Sequence, residues 1–546
     1  SNLGMRILYG IMNNMDGVWC QRVFAPWGDM EEEMRRAHMP LFALESGEPI
    51  TDFDIVAFSV GYEMAFTSIL NMLDLADIPL HSADRTGLTP LVIAGGTAMY
   101  NPEPIADFID IVSLGEGEDV TAELIELHRK ARREGWSKAD FLRRAAQVPG
   151  LYVPSLYDVE YNPDGTVKAI IPRDGAPKVV RKRIVKDMDK SYYPTKTIVP
   201  STEIVQDRVT LELFRGCIRG CRFCQAGYVY RPVRNRSEEL CVRYGVEACN
   251  DSGYQEVTLS SLSTSDYPQL TELCDDLEGF CQERHVNLSL PSLRADNFSM
   301  SLMQRLAKGR KSGLTFAPEA GTQRLRDVIN KNVTQEELKL YFMLGLPTET
   351  DEDVLGIADL AARVMHAWRE SASNKQRGVR ITVSTSWFVP KPHTAFQWEP
   401  QISKEEYQRR VKLLREAITT KTVTYNWHDP DTSFLEAVLA RGDRRMCKVL
   451  EAAWRKGAKL DAWEEYFSLE RWMEAFDECG LDPHFYANRQ REKDEIMPWS
   501  VISSGVTEGY LWRELQRAKA GVTTPDCRTH CNACGANHLV GGTCHV

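Results

Sequence analysis

The stretch Arg215-Gly-Cys217-Ile-Arg-Gly-Cys221-Arg-Phe-Cys224 determines how the rest of this chain is interpreted. It directly follows residues 209–214, which are a strand candidate. Three thiols at a C-x3-C-x2-C spacing suit an iron–sulfur cluster or zinc, but zinc takes a fourth protein ligand, which this loop does not offer. Gly216 and Gly220 permit a tight loop, and Phe223 is placed to shield a cluster from solvent. Three thiolates would leave one iron of a four-iron cube without a protein ligand.

Outward from this loop, strand and helix signals alternate over residues 201–425. The strand candidates are residues 209–214, 256–262, 287–290, 313–316, 340–345 and 380–384. This alternation predicts an α/β fold, a (β/α)6-type partial TIM barrel whose site lies at the carboxyl ends of the strands. Between Gln335 and Lys339 the joining helix is about a dozen residues shorter than a barrel crossover requires, which predicts a missing segment there.

The regions on either side of the barrel predict three further parts. Residues 1–147 predict a doubly wound parallel sheet, because their apolar strands are separated by helices. The strand candidates are 54–60, 90–94 and 109–114, and the helix candidates are 4–14, 65–75, 120–134 and 138–146. Since the chain opens in a helix, we expect the usual first strand to be missing. Residues 148–200 predict a strand-and-turn linker, and residues 426–546 predict a helical region that ends in a cysteine-rich tail.

Composition narrows the class of protein. At roughly 150 residues per domain, 546 residues exclude a single small module and predict three or four domains. The net charge of −11 mildly disfavours a nucleic-acid partner. No apolar stretch approaches the ~18 to 20 residues of a membrane span, so we expect no membrane anchor. The clustering of the 14 cysteines indicates metal ligation in a reducing compartment, which predicts a cytoplasmic protein.

A second group of thiols lies in the tail. It consists of Cys527, Cys531, Cys534 and Cys544. Four thiolates close a metal site completely, around either zinc or a second iron–sulfur cluster. Zinc would be structural, whereas a second cluster would carry electrons or bind substrate. His530, His538 and His545 are alternative ligands for one position, and unmetallated thiols are the remaining alternative.

The cysteine loop after a first barrel strand resembles that of the radical SAM superfamily, whose loop is C-x3-C-x-aromatic-C. The resemblance implies that Cys217, Cys221 and Cys224 bind a 4Fe–4S cluster and that its open iron chelates S-adenosylmethionine. The reduced cluster would cleave this cofactor to methionine and a 5′-deoxyadenosyl radical. A reductant such as flavodoxin or ferredoxin is implied as a partner. No residue is assigned to act directly on the substrate.

Later strand ends are similar to cofactor-binding segments of the same superfamily. The residues implied to contact the cofactor are Phe223, Ser261, Ser263, Arg294, Glu319, Gly345 and Pro347. The two serines stand where a Gly-Gly-Glu segment is common, and the alternatives for Arg294 and Glu319 are a plain salt bridge and an ordinary helix N-terminal acid. Residues 341–353 and 388–398 resemble segments of radical SAM methylthiotransferases. His393 on the second segment is a candidate substrate contact.

The N-terminal region resembles the cobalamin-binding domains that precede some radical SAM barrels. The residues that carry the resemblance are Ser59, Gly61, Gly95, Gly96, Gly115 and Gly117, all at strand ends. The Asp-x-His-x-x-Gly motif that supplies an axial histidine is missing, since the only early histidines are His38 and His81. We therefore expect cobalamin without a histidine ligand. The alternative is a sheet that has lost the cofactor or serves as an interaction surface.

These resemblances imply radical-based alkylation or methylthio-type modification of RNA, with transfer RNA as the expected substrate. Five basic residues beside the cluster loop are candidate phosphate contacts: Arg219, Arg222, Arg231, Arg234 and Arg236. They could equally pair with the cofactor carboxylate or with acidic groups. The second hypothesis is a radical SAM and cobalamin methyltransferase acting on a small molecule or peptide, which the acidic charge suits better. The third is a non-catalytic, cluster-bearing partner subunit.

Overall fold

The computed structural model describes residues 2–202, 204–290, 317–331, 340–371, 381–542 and 544. The chain divides into two compact units. The N-terminal unit contains Asn2–Val185 and Phe434–Gly505, and the central unit contains Lys186–Ser433 and Val506–Val546. The predicted helical region 426–546 is thus shared between the two units, while the boundaries of the four predicted domains stay a prediction. Within the described residues, no helix is both long enough and apolar enough to cross a membrane.

The strands are numbered here in chain order. They are β1 (Ile55–Ser59), β2 (Leu91–Gly95), β3 (Ile111–Ser113), β4 (Leu151–Tyr152), β5 (Tyr157–Tyr161), β6 (Val167–Pro172), β7 (Val180–Arg181), β8 (Val209–Glu212), β9 (Phe214–Arg215), β10 (Arg234–Asn235), β11 (Glu256–Ser260), β12 (Asn287–Ser289), β13 (Leu340–Leu344), β14 (Ile381–Trp387), β15 (Val423–Trp427) and β16 (Ile502–Ser503).

The helices of the described residues are Leu3–Asn13, Gly28–Arg36, Phe66–Leu75, Gly117–Glu134, Lys138–Ala145, Gln225–Val229, Glu238–Ser252, Leu270–Arg284, Gln323–Val328, Asp351–Ser371, Lys404–Ala417, Pro430–Arg441, Met446–Arg455, Leu469–Cys479, Pro483–Ala487 and Glu508–Lys519. Short 3-10 turns connect several of these elements.

The N-terminal unit is built on a sheet with the strand order β1-β2-β3-β4. The first three strands are parallel, which confirms the predicted fold class, and β4 adds an antiparallel edge. In register, Ser59 lies opposite Gly95, and Gly95 lies opposite Ser113. The last residues of three parallel strands therefore lie side by side at one edge of the sheet. The helix Phe66–Leu75 is largely buried in this unit.

The region predicted as a linker contributes regular structure to the N-terminal unit. β5 and β6 form an antiparallel hairpin around a turn at residues 162–165. A Pro-Asp-Gly turn favours such a hairpin, because proline and glycine supply the backbone angles that a tight reversal requires. Further along, β7 pairs in parallel with β16, from the second stretch of the same unit.

The central unit contains two three-stranded parallel sheets, β8-β11-β12 and β13-β14-β15. This confirms the predicted alternation of parallel strands and helices. The predicted fourth strand, 313–316, and the short joining segment, 335–339, lie outside the described residues. The chain that follows the fourth strand is visible at Glu319, which forms a parallel bridge with Phe342 of β13. β15 extends past residue 425, the predicted end of the barrel. The sequence did not predict this strand, because its residues Val-Thr-Tyr-Asn-Trp alternate instead of forming an apolar run.

Candidate active site

The cysteine loop lies at the carboxyl end of β8, where the sequence predicts it. Its base is closed by β9 and β10, which pair antiparallel. Gly216 has φ +90°, and a Cβ there would lie 2.6 Å from the carbonyl oxygen of Pro232. Only glycine fits both the backbone angle and this close approach. The loop is therefore held in a compact conformation at the end of the strand.

The three thiols of the loop are close enough to influence one another. Burial, followed by the charges of Cys221 and Cys217, raises the pKa of the Cys224 thiol to about 12. The Cys224 sulfur also accepts a hydrogen bond from the Gly227 N–H, 3.4 Å away, and caps the helix Gln225–Val229. A buried thiol of this kind becomes a thiolate when a metal binds it. The donor set therefore fits the cluster implied by the sequence.

Among the described residues, no group of three or more His, Cys, Asp and Glu side chains is arranged to hold a metal ion. A four-iron cluster takes one thiolate for each iron, so its ligand sulfurs do not converge on one ion. Three thiolates on one loop would hold three irons in that way. The fourth iron would have no protein ligand and would be open to the cofactor.

Arg222, between two residues of the cysteine motif, anchors the loop to the tail of the chain. Its guanidinium and the Glu514 carboxylate are both completely buried, and Nε lies 3.2 Å from Oε2. The same guanidinium donates to the carbonyl oxygens of Val328, at 2.8 Å, and Val522, at 2.7 Å. Because a buried charge requires a partner and satisfied hydrogen bonds, this network fixes the loop between two other segments of the central unit.

Arg219, also within the loop, pairs with the segment that follows β11. Its Nε donates to the Asp266 Oδ2 at 2.8 Å, and both side chains are buried. Ser263 donates to the same Asp266 oxygen at 2.6 Å. Asp266 has a lowered pKa: burial raises it, but hydrogen bonds from Arg219 and Ser263 and the charge of Arg219 lower it more. Ser263 therefore helps to orient the Asp266 carboxylate that pairs with Arg219. The Ser261 hydroxyl forms a hydrogen bond with the Thr264 hydroxyl.

The proposed role of the loop arginines as phosphate contacts is wrong. All five are at most 7% exposed: Arg219, Arg222, Arg231, Arg234 and Arg236. Arg234, for example, donates to the carbonyl oxygens of Pro232 and Tyr230. A phosphate contact needs an accessible cation, so sequence proximity to the cluster loop is misleading here. The alternative, in which these residues pair within the protein, describes Arg219 and Arg222.

The segment that follows the predicted fourth strand contacts the cysteine loop. Glu319 has φ +68°, and its backbone N–H and carbonyl oxygen both form hydrogen bonds with β13. Its Oε1 lies 3.4 Å from the Lys331 Nζ. The preceding residue, Asn330, donates from its side-chain amide to the Gly220 carbonyl oxygen of the cysteine loop, at 3.1 Å. Glu319 and the cluster loop are therefore in one region, as a cofactor-binding role requires.

The segment after β13 forms a tight turn around Gly345. This glycine has φ +90°, and its N–H donates to the Glu349 Oε2 at 2.7 Å. Burial raises the pKa of Glu349 to about 7, although the Gly345 N–H and Arg410 lower it. The turn is thereby held in a defined shape, with the half-buried Pro347 inside it.

Other predicted residues have less direct placements. Phe223 is half-buried, and Arg294 lies outside the described residues. His393 is buried, and its backbone N–H donates to the side-chain oxygen of Gln397. The segment around His393 is joined to the cluster loop by Gln225, whose amide donates to the Pro392 carbonyl oxygen at 3.2 Å.

The glycines at the carboxyl ends of the strands in the N-terminal unit have different surroundings. A Cβ at Gly96 would lie 2.4 Å from the Val60 carbonyl oxygen, and one at Gly115 would lie 2.1 Å from that of Arg183. Gly95 and Gly117 likewise approach other parts of the same unit. Only Gly61, of these edge glycines, faces open space. For Gly96 and Gly115 the close approach is therefore made by the protein's own backbone.

Ser59 is exposed beside Gly61 at the end of β1, so this part of the edge is accessible to a ligand. The two early histidines do not change the prediction of a missing axial ligand. His81 lies 3.0 Å from the Glu451 carboxylate, and His38 is exposed after the helix Gly28–Arg36.

The tail cysteines lie against the cluster loop, an arrangement that the sequence alone did not predict. The Cys527 N–H donates to the Ile218 carbonyl oxygen at 3.2 Å. Asp526 lies 3.5 Å from the Arg219 guanidinium. The two cysteine groups are thus neighbours within the central unit.

Comparison with known proteins agrees with the geometry of the cysteine loop. Residues 4–154 match the family model described as radical SAM proteins, N-terminal, and residues 211–361 match that of the radical SAM superfamily. An uncharacterized protein of Methanocaldococcus jannaschii is 27% identical over 468 residues, which cover 82% of this chain and 91% of that protein.

A putative methylthiotransferase of the same organism is 21% identical and covers 50% of this chain; the match spans 57% of the relative's length. Two structures of the radical SAM methyltransferase TsrM from Kitasatospora setae have a TM-score of 0.38 to this chain. One contains tryptophan and a SAM analog, is 14% identical, and is matched over 78% of this chain and 70% of its own. The other contains cobalamin and a [4Fe-4S] cluster, is 13% identical, and is matched over 78% and 71%. This likeness is too distant to assign a substrate or cofactor.

The two family matches together span more than half of the chain, and the second contains the cysteine loop and the strand ends described above. The protein therefore belongs to the radical SAM superfamily and is an enzyme that uses a 4Fe–4S cluster and S-adenosylmethionine.

Proposed function

We propose that this enzyme transfers a methyl or methylthio group to its substrate. The observation that carries the proposal is the contact between the cysteine loop, after β8, and the segment that holds Glu319 and Lys331, where the Asn330 amide donates to the Gly220 carbonyl oxygen. When bound, the cluster supplies the electron that cleaves S-adenosylmethionine to methionine and a 5′-deoxyadenosyl radical. Cys217, Cys221 and Cys224 would hold three of its irons.

The other residues at these strand ends bind and orient the cofactor. Glu319 offers a carboxylate to an amine or ribose hydroxyl, since carboxylate oxygens accept hydrogen bonds. The turn at Gly345 presents backbone to the adenine, while the missing Cβ itself serves internal packing, since a Cβ there would lie 2.9 Å from the Ile402 side chain. Arg222 and Arg219 keep the cluster loop in place and thus act as positioning residues.

Transfer RNA is the first candidate substrate. The support is the resemblance of residues 341–353 and 388–398 to segments of methylthiotransferases, together with the 21% identity to a putative methylthiotransferase. A small molecule or peptide is the second candidate. It is favoured by the burial of the five loop arginines and by the net charge of −11, neither of which suits a polyanion.

The proposal is tested with anaerobically reconstituted protein, S-adenosylmethionine and dithionite, with and without transfer RNA. We expect 5′-deoxyadenosine to form, with a rate that rises when RNA is added and with RNA affinity that falls as salt increases. Mass spectrometry of the nucleosides would identify an added methyl or methylthio group. Turnover that ignores RNA but responds to peptide or small-molecule pools would support the second candidate. Absence of cofactor cleavage by fully loaded protein would support a non-catalytic partner subunit.

We also propose that the exposed edge formed by Ser59 and Gly61 holds cobalamin without a histidine ligand. Gly61→Leu is expected to abolish retention of hydroxocobalamin, because its side chain would fill the open space in front of β1. The fold should not change, since no atom lies within 4 Å of a Cβ at Gly61. The measurement is the visible spectrum of the protein after gel filtration with cobalamin.

Gly509→Leu is the matched control for the cobalamin test, because a Cβ there also meets open space but in the central unit. It should leave cobalamin retention unchanged, and both variants should keep the unfolding temperature of the wild type. Equal retention by wild type and Gly61→Leu would contradict the assignment of this edge.

A further inference from the structure

The tail repeats the spacing of the cluster loop. Cys527, Cys531 and Cys534 form a C-x3-C-x2-C motif, as Cys217, Cys221 and Cys224 do, and the tail adds Cys544. A short loop with this spacing can present three sulfurs to three irons of one cube. The second motif therefore offers the same three-thiolate set, with a fourth thiol to complete it.

The chain folds back on itself between the third and the fourth tail cysteine. A short 3-10 turn, Ala536–Val540, follows Cys534, and Asn537 and Gly542 are joined by two hydrogen bonds, of 2.7 and 3.0 Å. This turn brings Cys544 back toward the other three cysteines although nine residues separate it from Cys534. Gathering four thiols without a metal has no evident benefit for packing, because Cys531 is exposed and the others are only half-buried.

The backbone of the tail motif is fixed at both ends. The Cys527 N–H donates to the Ile218 carbonyl oxygen, and the Cys534 carbonyl oxygen accepts from the Thr507 N–H at 2.9 Å. Thr507 is the N-cap of the helix Glu508–Lys519. The motif is thus held on one side by the first cysteine loop and on the other by a helix, which preorganises its thiols for a metal.

A buried cation lies between the first cysteine loop and the helix that holds the tail motif. The Arg231 guanidinium donates to the Arg219 carbonyl oxygen at 2.7 Å, within the first loop. It also lies 5.8 Å from the ring centroid of Tyr510, in the helix Glu508–Lys519. A thiolate-bound cluster is anionic, and a fixed positive charge in a buried site stabilises it.

We propose that Cys527, Cys531, Cys534 and Cys544 bind a second 4Fe–4S cluster, mounted directly on the loop that binds the first. Four thiolates cap all of its irons, so it has no open iron for S-adenosylmethionine or substrate. This site is independent of the group that the enzyme transfers.

The test uses the full chain, reconstituted anaerobically, in three forms: wild type, the triad variant Cys217→Ala/Cys221→Ala/Cys224→Ala, and the tail variant Cys527→Ala/Cys531→Ala/Cys534→Ala. Wild type should bind about eight irons, and each variant about four. After reduction, the electron paramagnetic resonance signal of the tail variant should change when S-adenosylmethionine is added. The signal of the triad variant should not, because the second cluster has no open iron. Cys479→Ala, a cysteine in the N-terminal unit, should keep about eight irons.

Several outcomes would overturn the second cluster. They are about four irons in wild type with zinc in the tail, about four irons with free tail thiols, and a triad variant that retains no iron while remaining folded by circular dichroism. If the triad variant does not fold, iron, sulfide and zinc analysis of wild type and Cys531→Ser decides the matter, since Cys531 is the exposed ligand. A wild type with two clusters but no cofactor cleavage would contradict the proposed function and leave this inference standing.

Discussion

Replacing Cys221 by alanine is expected to reduce formation of 5′-deoxyadenosine to the background rate. In the proposed site Cys221 supplies one of the three thiolates of the first loop, and the cluster must be intact to deliver the electron to the cofactor. The measurement is chromatographic assay of 5′-deoxyadenosine after anaerobic reconstitution, with S-adenosylmethionine and dithionite present. Wild type is assayed in parallel at equal protein concentration.

Cys479→Ala is the matched control for Cys221→Ala. Cys479 is half-buried at the end of the helix Leu469–Cys479, in the N-terminal unit. This variant should retain full activity, which separates loss of a ligand from any general effect of removing a thiol. Cofactor cleavage at the wild-type rate by Cys221→Ala would show that the loop does not hold the catalytic cluster.

The second large effect is expected for Arg222→Met, which should lower the free energy of unfolding by about 3–5 kcal/mol. The substitution removes one member of an ion pair whose two side chains are completely buried, and it leaves the Glu514 carboxylate with the partly exposed Arg517, 3.2 Å away, as its remaining cation. The carbonyl oxygens of Val328 and Val522 also lose their donors. Urea denaturation, followed by fluorescence, measures the change, and iron analysis should show weaker retention of the first cluster.

The double variant Arg222→Met/Glu514→Leu tests the physical reason. Replacing both charges by apolar groups removes the buried carboxylate that has lost Arg222, so much of the lost stability should return. Arg36→Met is the surface control, because its partner Glu33 and Arg36 itself are largely exposed, and such pairs contribute about 0–1 kcal/mol. A stability loss for Arg222→Met no greater than that of Arg36→Met would refute the anchoring role.

The local sequence was sufficient to predict the parallel strands β1, β2 and β3. They contain apolar runs of strand length, and one apolar helix, Phe66–Leu75, separates the first two, so short-range patterns identify them. The cysteine loop was equally accessible, because all three thiols lie within eight residues and the strand before it is adjacent in the chain. Chemistry concentrated in one short segment needs no knowledge of long-range contacts.

The structural reason for each glycine at the sheet edge could not be predicted from the sequence. Gly61 and Gly96 look alike in the sequence, yet one faces open space and the other faces the Val60 carbonyl oxygen. Likewise, the five arginines near the cluster loop look like a basic surface until their burial is known. Whether a side chain is exposed depends on segments far along the chain, such as Glu514 for Arg222, and a local pattern contains no information about them.

By itself, then, the sequence determined the superfamily and the α/β class and predicted the cluster ligands, because these follow from spacing and periodicity within short segments. Only the tertiary structure decided that the predicted helical region 426–546 divides between two units, that the loop arginines are internal, and that the tail cysteines lie against the first cysteine loop. These features arise from contacts between residues about 300 positions apart, as in Arg222 and Glu514. Such contacts form when burial, hydrogen bonding and charge pairing are satisfied together across the folded chain.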